Sequence, residues 1–295
     1  MKEAFRELRL TGKTKQYLNQ IIKIIEQYQA EGYRLTLRQL YYQLVAGGIT
    51  PNQKKEYNKL SRILTDARMG GLVDWSVIED RVRLPKFPSE WDSIQDAVNS
   101  LCAQYRLPRW ADQIFYVELW TEKDAIAGIL EPLTKKYHIH LVVNRGYSSA
   151  SAMYDASKRF LQAIGQDHKV VVLYLGDHDP SGLDMDRDIK DRIEEFGAEI
   201  EYKRIGLTWE QIQQYHPPPN PAKFQDPRAA EYIKKYGRSS WEVDALPPNV
   251  LHQLVEKSIQ NYVDRAKYNA WIDKETKEIK QLKKKTDEID ISEEE

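Results

Sequence analysis

Asp177 and Asp179 are the residues whose types and spacing point most directly to chemistry. They follow an almost unbroken apolar run, residues 169–175, which is typical of a strand buried on both faces of a parallel sheet. Side chains two apart on an extended chain point to the same side, so both carboxylates should project from the end of this strand. Neighbouring carboxylates repel unless a cation lies between them, and Mg²⁺ prefers oxygen ligands. The sequence therefore predicts a magnesium site here.

Glu122 occupies the corresponding place in a second strand-to-helix segment. The apolar residues 114–119 predict a strand, and residues 121–125 then open a helix. Because open α/β sheets bind ligands outside the carboxyl ends of their strands, Glu122 should lie at the same edge as the two aspartates. Each signal also has a plainer interpretation, since Asp-x-Asp pairs are common in loops and a first-turn glutamate can simply complement a helix dipole. Glu118 lies within the apolar strand and is not assigned to the site.

A tyrosine and an arginine on one predicted helix form a second candidate group. The helix should begin after Thr36, which forms a capping-box pattern with Gln39. Projected at about 100° per residue, Tyr41 falls inside the apolar stripe and Tyr42 lies well off its centre. Arg38 precedes Tyr42 by one turn on the same flank, a spacing that brings side chains together. We expect Tyr41 in the core and Tyr42 half-exposed beside Arg38.

The next predicted helix, from about residue 54 to 69, carries basic residues on its outer face: Lys55, Lys59 and Arg62. The following segment, residues 72–84, could supply a short β wing. Helix, turn, helix and wing is a DNA-binding layout with the second helix in the major groove. Residues 1–80 hold 13 Lys and Arg against 9 Asp and Glu. This local excess supports DNA binding without requiring it, because charged outer faces are usually only solvated.

Together these motifs resemble those of the topoisomerase VI A subunit and its relative, the meiotic double-strand-break protein. One strand ends in Glu-Lys-x-Ala and a later one in Asp-x-Asp-Pro-x-Gly. Both endings look like a Toprim domain, the metal-binding module of topoisomerases, primases and some nucleases. The pattern Ser/Thr-x-Arg-x-x-Tyr-Tyr, which begins here at Thr36, looks like the catalytic tyrosine motif of the same family.

The resemblance implies a winged-helix domain followed by a Toprim domain, and it assigns roles to residues. Glu122, Asp177 and Asp179 would bind Mg²⁺, with Glu122 either a ligand or the general acid to the leaving 3′ oxygen. Tyr42 would be the nucleophile and would become joined to a 5′ DNA end. Arg38 would favour the phenolate or hold the phosphate.

The family also implies partners. It works as a two-fold dimer in which the tyrosine of one protomer acts with the metal site of the other. Strand passage in the family needs an ATPase partner, and no ATPase element is recognisable in this sequence. Such a partner would therefore be a separate subunit, whereas nicking or double-strand breakage would not need one.

The segment after the last predicted strand holds further candidates. A long Pro-rich loop, residues 216–227, contains Lys223, which is a candidate DNA contact. Residues 241–248, WEVDALPP, resemble a glutamate-rich segment of the family that lies near the Toprim sheet. Glu242 and Asp244 are candidates for supporting the metal site, although a surface strand is the favoured interpretation.

The chain beyond residue 113 alternates strand and helix, which predicts an α/β layered domain. No G-x-G-x-x-G follows a strand, which argues against an ordinary Rossmann nucleotide site. Ser181 and Asp184 predict a capping box for the helix after the second acidic segment. The predicted strands are 114–119, 139–143, 169–175 and 199–205, and the intervening helices are 123–136, 149–164 and 182–196. We predict a winged-helix domain at 1–85, a linker helix within 86–112, a Toprim, Rossmann-like α/β domain at 113–250, and a helical extension with a charged tail at 251–295. The linker helix should span residues 89–105 and bridge the domains through its apolar stripe, which consists of Trp91, Ile94, Val98, Leu101 and Tyr105.

Composition limits the class of protein. The 295 residues suffice for two domains with real cores, and the net charge of −1 means that any nucleic-acid surface must be local. Cys102 is the single cysteine, which excludes an internal disulfide and a cysteine-based zinc site. No apolar stretch approaches the roughly 18 residues of a membrane span, and the charged start lacks an apolar signal core. We therefore expect a cytoplasmic protein, associated with the nucleoid if the source is prokaryotic.

Three functions stay open on these observations. The first is Mg²⁺-dependent DNA cleavage by tyrosine transesterification, as in topoisomerases. The second is a Toprim nuclease that uses metal-activated water, with Tyr42 only structural. The third is a winged-helix DNA-binding protein without catalysis. Covalent protein–DNA adducts separate the first from the second, and Mg²⁺ dependence of cleavage separates both from the third.

Overall fold

The structure is a computed structural model that describes residues 2, 4–78, 88–144, 150–221 and 228–287. Its elements form a helical N-terminal part, a parallel sheet covered by helices, and a helical C-terminal part. The helices are α1 (Gly12–Ala30), α2 (Leu37–Ala46), α3 (Lys54–Met69), α4 (Ile94–Gln104), α5 (Asp124–Tyr137), α6 (Ala150–Ile164), α7 (Pro180–Glu195), α8 (Trp209–Tyr215), α9 (Ala229–Tyr236), α10 (Pro248–Gln260) and α11 (Arg265–Asp287). The strands are β1 (Phe115–Thr121), β2 (His140–Val143), β3 (Lys169–Leu175), β4 (Glu201–Gly206), β5 (Asn220–Pro221) and β6 (Ser239–Ser240).

Helices α1, α2 and α3 pack around a common apolar core. The predicted capping box at the start of α2 is confirmed: the Thr36 hydroxyl accepts from the Gln39 amide, and the Gln39 side chain accepts from the Thr36 amide. Reciprocal caps of this kind satisfy donors that the first helical turn would otherwise leave unpaired. Helix α3 has the predicted bounds. Its inner stripe is buried at Leu60, Ile63, Leu64 and Ala67 and partly buried at Tyr57.

The predicted β wing, residues 72–84, lies partly outside the described residues. Within them, Trp75–Val77 forms a short 3-10 turn, and Ile78 makes one parallel bridge with Leu35. The prediction for residues 79–84 therefore falls on a part of the chain that the structure does not describe.

The four-stranded sheet is parallel, in the order β2-β1-β3-β4. Helices α5 and α10 cover one face and α6 and α7 cover the other. Residues 170–175 of β3 are buried, as the apolar run predicted for a strand with both faces covered. The α/β layered fold and the helical C-terminus are confirmed, with each of the four main strands within two residues of its predicted bounds.

The capping box predicted from Ser181 and Asp184 is wrong. Helix α7 starts at Pro180, and its N-cap is Asp179, whose Oδ1 accepts from the Gly182 amide at 2.6 Å. Proline is favoured at the first helical position because its fixed φ suits the helix and its missing N–H is not needed there. The N-cap is therefore Asp179, the residue before the proline. One of the predicted metal ligands thus stabilises the start of a helix.

The linker helix also differs from its prediction. Helix α4 is shorter than the predicted 89–105 and packs against α11, burying Cys102. The apolar stripe that was expected to bridge domains instead faces outward, with Trp91, Ile94 and Leu101 each more than half exposed. Ile94 and Leu101 of the stripe do lie in a helix, but this helix packs against α11 through the neighbouring face that carries Cys102.

The C-terminal part is helical, as predicted, and consists of two helices. Helix α10 packs on the sheet and α11 follows it, pairing with α4. None of the helices in the described part of the chain combines the length and apolar character that a membrane crossing needs.

Candidate active site at the carboxyl edge of the sheet

The order of the strands creates a place for a site between β1 and β3. The chain runs from β1 to β2 on one side of the sheet and from β3 to β4 on the other side. Parallel sheets bind ligands where the direction of connection changes in this way, beyond the carboxyl ends of the strands. Glu122 follows β1 and Asp177 follows β3. The Asp177 amide donates to Glu122 Oε1 at 2.8 Å, so the structure brings together these two residues, which are far apart in sequence.

Asp179 lies beside them but is used differently. It lines the same cavity as Asp177, yet its Oδ1 accepts hydrogen bonds from the Gly182 amide and the Ser181 hydroxyl. The predicted triad of Glu122, Asp177 and Asp179 is therefore gathered at one edge of the sheet. One of its three carboxylates is committed to the first turn of α7.

Lys123 is a cation within this acidic group that the sequence analysis did not single out. Its Nζ lies 2.7 Å from Asp177 Oδ2 and 3.2 Å from Glu242 Oε2. Burial would lower the pKa of this ammonium, but the attraction of Asp177 and its neighbours outweighs burial and raises it. Lys123 therefore stays charged and serves as a counter-ion between two carboxylates.

The segment around Glu242 and Asp244 is not the surface strand that was favoured from sequence. Val243–Ala245 forms a buried 3-10 turn, and the side chain of Asp244 is fully buried. The Val243 amide donates to Asp177 Oδ1 at 3.0 Å. This turn brings Glu242 and Asp244 into the acidic site, because it bonds to Asp177 on one side and contacts helix α2 on the other.

Tyr42 is buried, with 4% of its surface exposed, so the prediction that it is half-exposed is wrong. Its Oη accepts from Arg38 Nη2 and from Asn220 Nδ2, each at 3.3 Å. The helical projection placed it correctly on the flank beside Arg38. That flank is covered because residues of the α/β part, including Asn220 and Glu242, pack against α2. Tyr41 is buried as predicted.

Arg38 links the helical part to the acidic site. Its guanidinium pairs with Glu242, and its Nε lies 2.9 Å from Asp244 Oδ2. The same guanidinium donates to Tyr42 and lies over its ring, 5.6 Å from the centroid. One arginine thus contacts the candidate nucleophile and two carboxylates of the acidic group.

His178, between the two aspartates, holds the acidic loop in place. Its backbone pairs with Trp241 in both directions, and its Nδ1 lies 2.9 Å from the Tyr232 hydroxyl. Burial, followed by the nearby Arg204, lowers its pKa to about 4, so the imidazole is neutral near pH 7. Its ring packs in an aromatic group formed by Trp209, Tyr232, Tyr236 and Trp241. The histidine position gave no sequence signal beyond its place between two aspartates.

Gly182 lets the loop and helix α7 approach closely. A Cβ at this position would stand 2.3 Å from the Asp177 carbonyl oxygen, which no real side chain could accept. Arg204 then fixes the same turn by donating to the carbonyl oxygens of Gly176 and Gly182 at 2.9 and 2.7 Å. The backbone that presents Asp177 and Asp179 is therefore held by its close packing on the start of α7 and by the hydrogen bonds from Arg204.

The carboxyl groups of the site have shifted pKa values with identifiable causes. Burial, and then repulsion by Asp177, raises the pKa of Glu122 to about 8. Burial likewise raises the pKa of Asp177, and it raises that of Asp244 to about 7. Burial would also raise the pKa of Glu242, but Lys123 and Arg38 together hold it below its usual range. At neutral pH some carboxyl groups of the cluster are therefore protonated, as at Glu122, and others are ionised, as at Glu242.

These shifts predict that the metal-free protein loses stability as the pH rises. A carboxyl with a raised pKa holds its proton better in the folded chain, so unfolding releases protons and the free energy of unfolding falls with pH. For Glu122 the loss begins near its ordinary pKa of 4.5 and is complete above about 8. In urea titrations with EDTA we expect a fall of more than about 1 kcal/mol between these values. Glu122→Gln should flatten that fall, and an unchanged slope would contradict the assignment.

A magnesium site fits part of this donor set. Among the described residues, no three His, Cys, Asp or Glu side chains are grouped so that they could hold a metal ion. Mg²⁺ usually keeps several waters and needs only one or two protein carboxylates together with substrate phosphates. Glu122 and Asp177 supply such a pair of oxygen donors, and their mutual repulsion would be relieved by a cation. The fit requires Lys123 to leave Asp177.

A cavity of about 560 Å³ is lined by most of the candidate residues that the structure describes, whereas Glu122 is not part of its lining. Helix α2 contributes Arg38 and Tyr42, and the sheet edge contributes Lys123, Asp177 and Asp179. The remaining lining includes Asn52, Lys54, Asn58, Asn220, Trp241 and Glu242. Asn52, Lys54 and Asn220 were not singled out from the sequence, because isolated amides and a lysine at a helix start carry no pattern.

The predicted DNA-contacting residues have mixed outcomes. Lys55, Lys59 and Arg62 are exposed on α3, as predicted, with Lys59 paired to Glu56 at 3.2 Å. Lys223 lies outside the described residues. Glu118, which was set aside, is fully buried on β1 and receives two hydrogen bonds from Arg159.

Comparison with known proteins identifies no relative: no family model matches the chain, and no curated protein or solved structure is significantly similar to it.

Proposed function

We propose that this protein cleaves DNA by transesterification, with Tyr42 as the nucleophile and a Mg²⁺-assisted acidic centre beside it. The observation that carries the proposal is the shared cavity, in which Tyr42 and Arg38 face Lys123, Asp177 and Asp179. A tyrosine, an arginine and a carboxylate group in one cleft are the parts that covalent phosphoryl transfer requires. In this proposal α1–α3 belong to a winged-helix domain and the sheet to a Toprim domain, as the sequence motifs suggest.

The proposed reaction exchanges one phosphodiester bond for another. Tyr42 Oη attacks the phosphorus, the bond between phosphorus and the 3′ oxygen breaks, and the 5′ phosphate stays on the tyrosine. Burial raises the pKa of Tyr42, and Arg38 works against that rise, so the phenol is neutral before attack. The phenolic proton leaves to a base as the bond forms, while the arginine stabilises the developing charge. The 3′ oxygen leaves with a proton from a general acid.

Glu122 suits the role of that acid. Because burial and Asp177 raise its pKa to about 8, it carries a proton at neutral pH in the metal-free site. A general acid works best when its pKa lies near the working pH. Asp177 is then the carboxylate that remains closest to Lys123, at 2.7 Å. In this role Glu122 keeps its proton, and Mg²⁺ held at Asp177 together with the DNA phosphate would neutralise charge that builds on the phosphoryl oxygens.

A second candidate function rests on the burial of Tyr42. With 4% of its surface exposed and a raised pKa, this tyrosine is also placed as a structural residue under Arg38. A nuclease that used the acidic centre and water would cleave DNA without an adduct. The first candidate is favoured because the Tyr42 hydroxyl, among the described residues, accepts two hydrogen bonds and donates none, which leaves its proton available.

The test is incubation of supercoiled plasmid with the protein and Mg²⁺, followed by electrophoresis with and without protease digestion. We expect cleaved plasmid that enters the gel normally only after digestion, and no cleavage in EDTA. Cleavage that needs Mg²⁺ but leaves no protein on the DNA would favour the water mechanism. Binding without cleavage in any condition would leave a DNA-binding protein.

The exposed basic face of α3 should carry part of the DNA affinity. Replacing Lys55, Lys59 and Arg62 together by alanine should weaken binding across sequences and flatten its salt dependence, by up to about 0.9 for each DNA phosphate that these side chains neutralise. Fluorescence anisotropy at several salt concentrations measures this slope. The matched control is the triple alanine variant of Lys13, Lys15 and Lys23, which removes the same charge from the exposed face of α1. Equal slopes in the two variants would mean that the α3 face is merely solvated.

A further inference from the structure

The tyrosine and the acidic centre of this cavity come from the same chain. Arg38 of α2 pairs with Glu242, and its Nε lies 2.9 Å from Asp244 Oδ2. Asn220 joins the two halves a second time, because its Nδ2 donates to both Tyr42 Oη and Glu242 Oε1 at 3.3 Å. The contacts of Arg38 with Glu242 and of Asn220 with Tyr42 connect residues more than 170 positions apart within one chain.

A third connection lies one step away from the tyrosine. Asn52, just before α3, donates through Nδ2 to Asn220 Oδ1 at 2.7 Å and to the Pro219 carbonyl oxygen at 2.9 Å. Pro219 immediately precedes β5, and Asn220 is its first residue. The Asn52–Asn220–Tyr42 chain of hydrogen bonds therefore fixes how the helical part sits on the α/β part.

Burial shows that this arrangement belongs to the folded core. Ala245, two residues beyond Val243, packs in the same apolar cluster as α1, α2 and α3. Asp244 is completely buried where α2 meets the 3-10 turn. If the two parts were loosely held, Asp244 and Ala245 would be exposed to water. The two halves of the cavity are thus held together by apolar packing as well as by polar contacts.

We infer that the active site is complete within one chain, so that a single copy cleaves one DNA strand without a partner's tyrosine. This inference rests on the proposed function, and it differs from the shared-site dimer that the sequence resemblance implies. A phosphate in the cavity would meet Tyr42 and Arg38 on one side and Lys123 and Asp177 on the other, all from the same copy. The product of a lone copy is a nick with the protein on the 5′ end.

Complementation between two inactive variants tests the inference. Tyr42→Phe and Asp177→Asn carry their defects in different halves of the site. If one copy lends its tyrosine to the other, a co-expressed pair with different affinity tags regains one intact site. If each copy is self-sufficient, the pair should stay as inactive as either variant alone, at least about a thousandfold below the parent in adduct formation. Recovery of cleavage in the mixed pair would overturn the inference and leave the proposed function standing.

The reciprocal mixture supplies the matched control. A chain carrying both substitutions, co-expressed with the parent chain, leaves one complete site when each copy works alone, and none when sites are shared. We therefore expect this mixture to form adduct in proportion to its parent chains. Adduct that instead falls with the square of the parent fraction would argue for shared sites, because only pairs of two parent chains would then be active. A parent chain that forms no adduct at all would overturn both the inference and the proposed function.

A cross-linking experiment tests the arrangement without using activity. Asn52→Cys and Asn220→Cys replace two side chains that are hydrogen-bonded at 2.7 Å, and the natural Cys102 is buried. A short bis-maleimide should join the two new cysteines within one chain and leave the mass of a monomer. The single-cysteine variants show the background of linkage between copies. A product at the dimer mass that needs both cysteines would show that these halves meet between copies, and would overturn the inference.

Discussion

Tyr42→Phe should abolish any covalent protein–DNA adduct and reduce Mg²⁺-dependent cleavage by at least about a thousandfold, because phenylalanine has no nucleophilic oxygen. The effect on folding should be small. The two donors that lose the hydroxyl, Arg38 and Asn220, each keep Glu242 as an acceptor. Loss of one such hydrogen bond costs about 1 kcal/mol. Electrophoresis of end-labelled DNA under denaturing conditions measures the adduct, and urea titration measures the stability.

Tyr41→Phe is the matched control from the adjacent position. Its hydroxyl is also buried and hydrogen-bonded, accepting from the Gln53 amide at 2.7 Å. Because that amide also donates to the Pro51 carbonyl oxygen at 2.9 Å, it stays paired when the hydroxyl is removed, and the loss should cost about 1 kcal/mol of unfolding free energy. Adduct formation should nevertheless persist. If Tyr42→Phe cleaves as fast as the parent and still needs Mg²⁺, water is the nucleophile and the tyrosine mechanism is wrong.

Asp177→Asn should reduce cleavage by at least about a hundredfold and weaken Mg²⁺ binding. The carboxylate accepts from the Val243 amide through Oδ1 and contacts Lys123 through Oδ2. Asparagine keeps an oxygen for Val243 but presents no charge to a cation or to Lys123. The fold should therefore survive while the electrostatic function of the site is lost. Plasmid cleavage and calorimetric Mg²⁺ titration measure the two effects separately.

Two further variants sharpen this experiment. Asp179→Asn should keep the cap of α7, since asparagine caps helices as well as aspartate does, and should likewise impair cleavage. Asp188→Asn removes the same charge from an outer position of α7, where Asp188 pairs with Arg192, and should leave cleavage unchanged. Full activity of the Asp177 and Asp179 double variant, or of the parent in EDTA, would rule out a catalytic role for the acidic centre.

Local patterns predicted the frame of this site well. The unbroken apolar run of β3 and the shorter one of β1 showed where two buried strands end, and parallel strands end at one edge. That was enough to place Glu122 beside Asp177. The same kind of evidence predicted the capping box and the buried stripe of the N-terminal helices, because each depends on residues within two turns.

Contacts between distant segments were not predictable in the same way. A helical projection uses only the residues of that helix. It therefore placed Tyr42 beside Arg38 but could not reveal that Asn220 and Glu242 cover this flank of α2. The Glu242 turn was misjudged for a related reason. A short polar segment with alternate acidic residues looks like a surface strand until its partners, here Arg38 and Lys123, are known.

Lys123 has a consequence for how the acidic edge would take up a divalent ion. Because its ammonium already lies between Asp177 and Glu242, the repulsion among these carboxylates is partly neutralised in the folded chain. Uptake of a divalent ion at Asp177 would then be an ion exchange, in which a resident monovalent charge must leave as the new charge enters. The chain can therefore hold this folded arrangement without a bound metal ion. The displaced ammonium is left next to the cavity, with the charge that a DNA phosphate would attract.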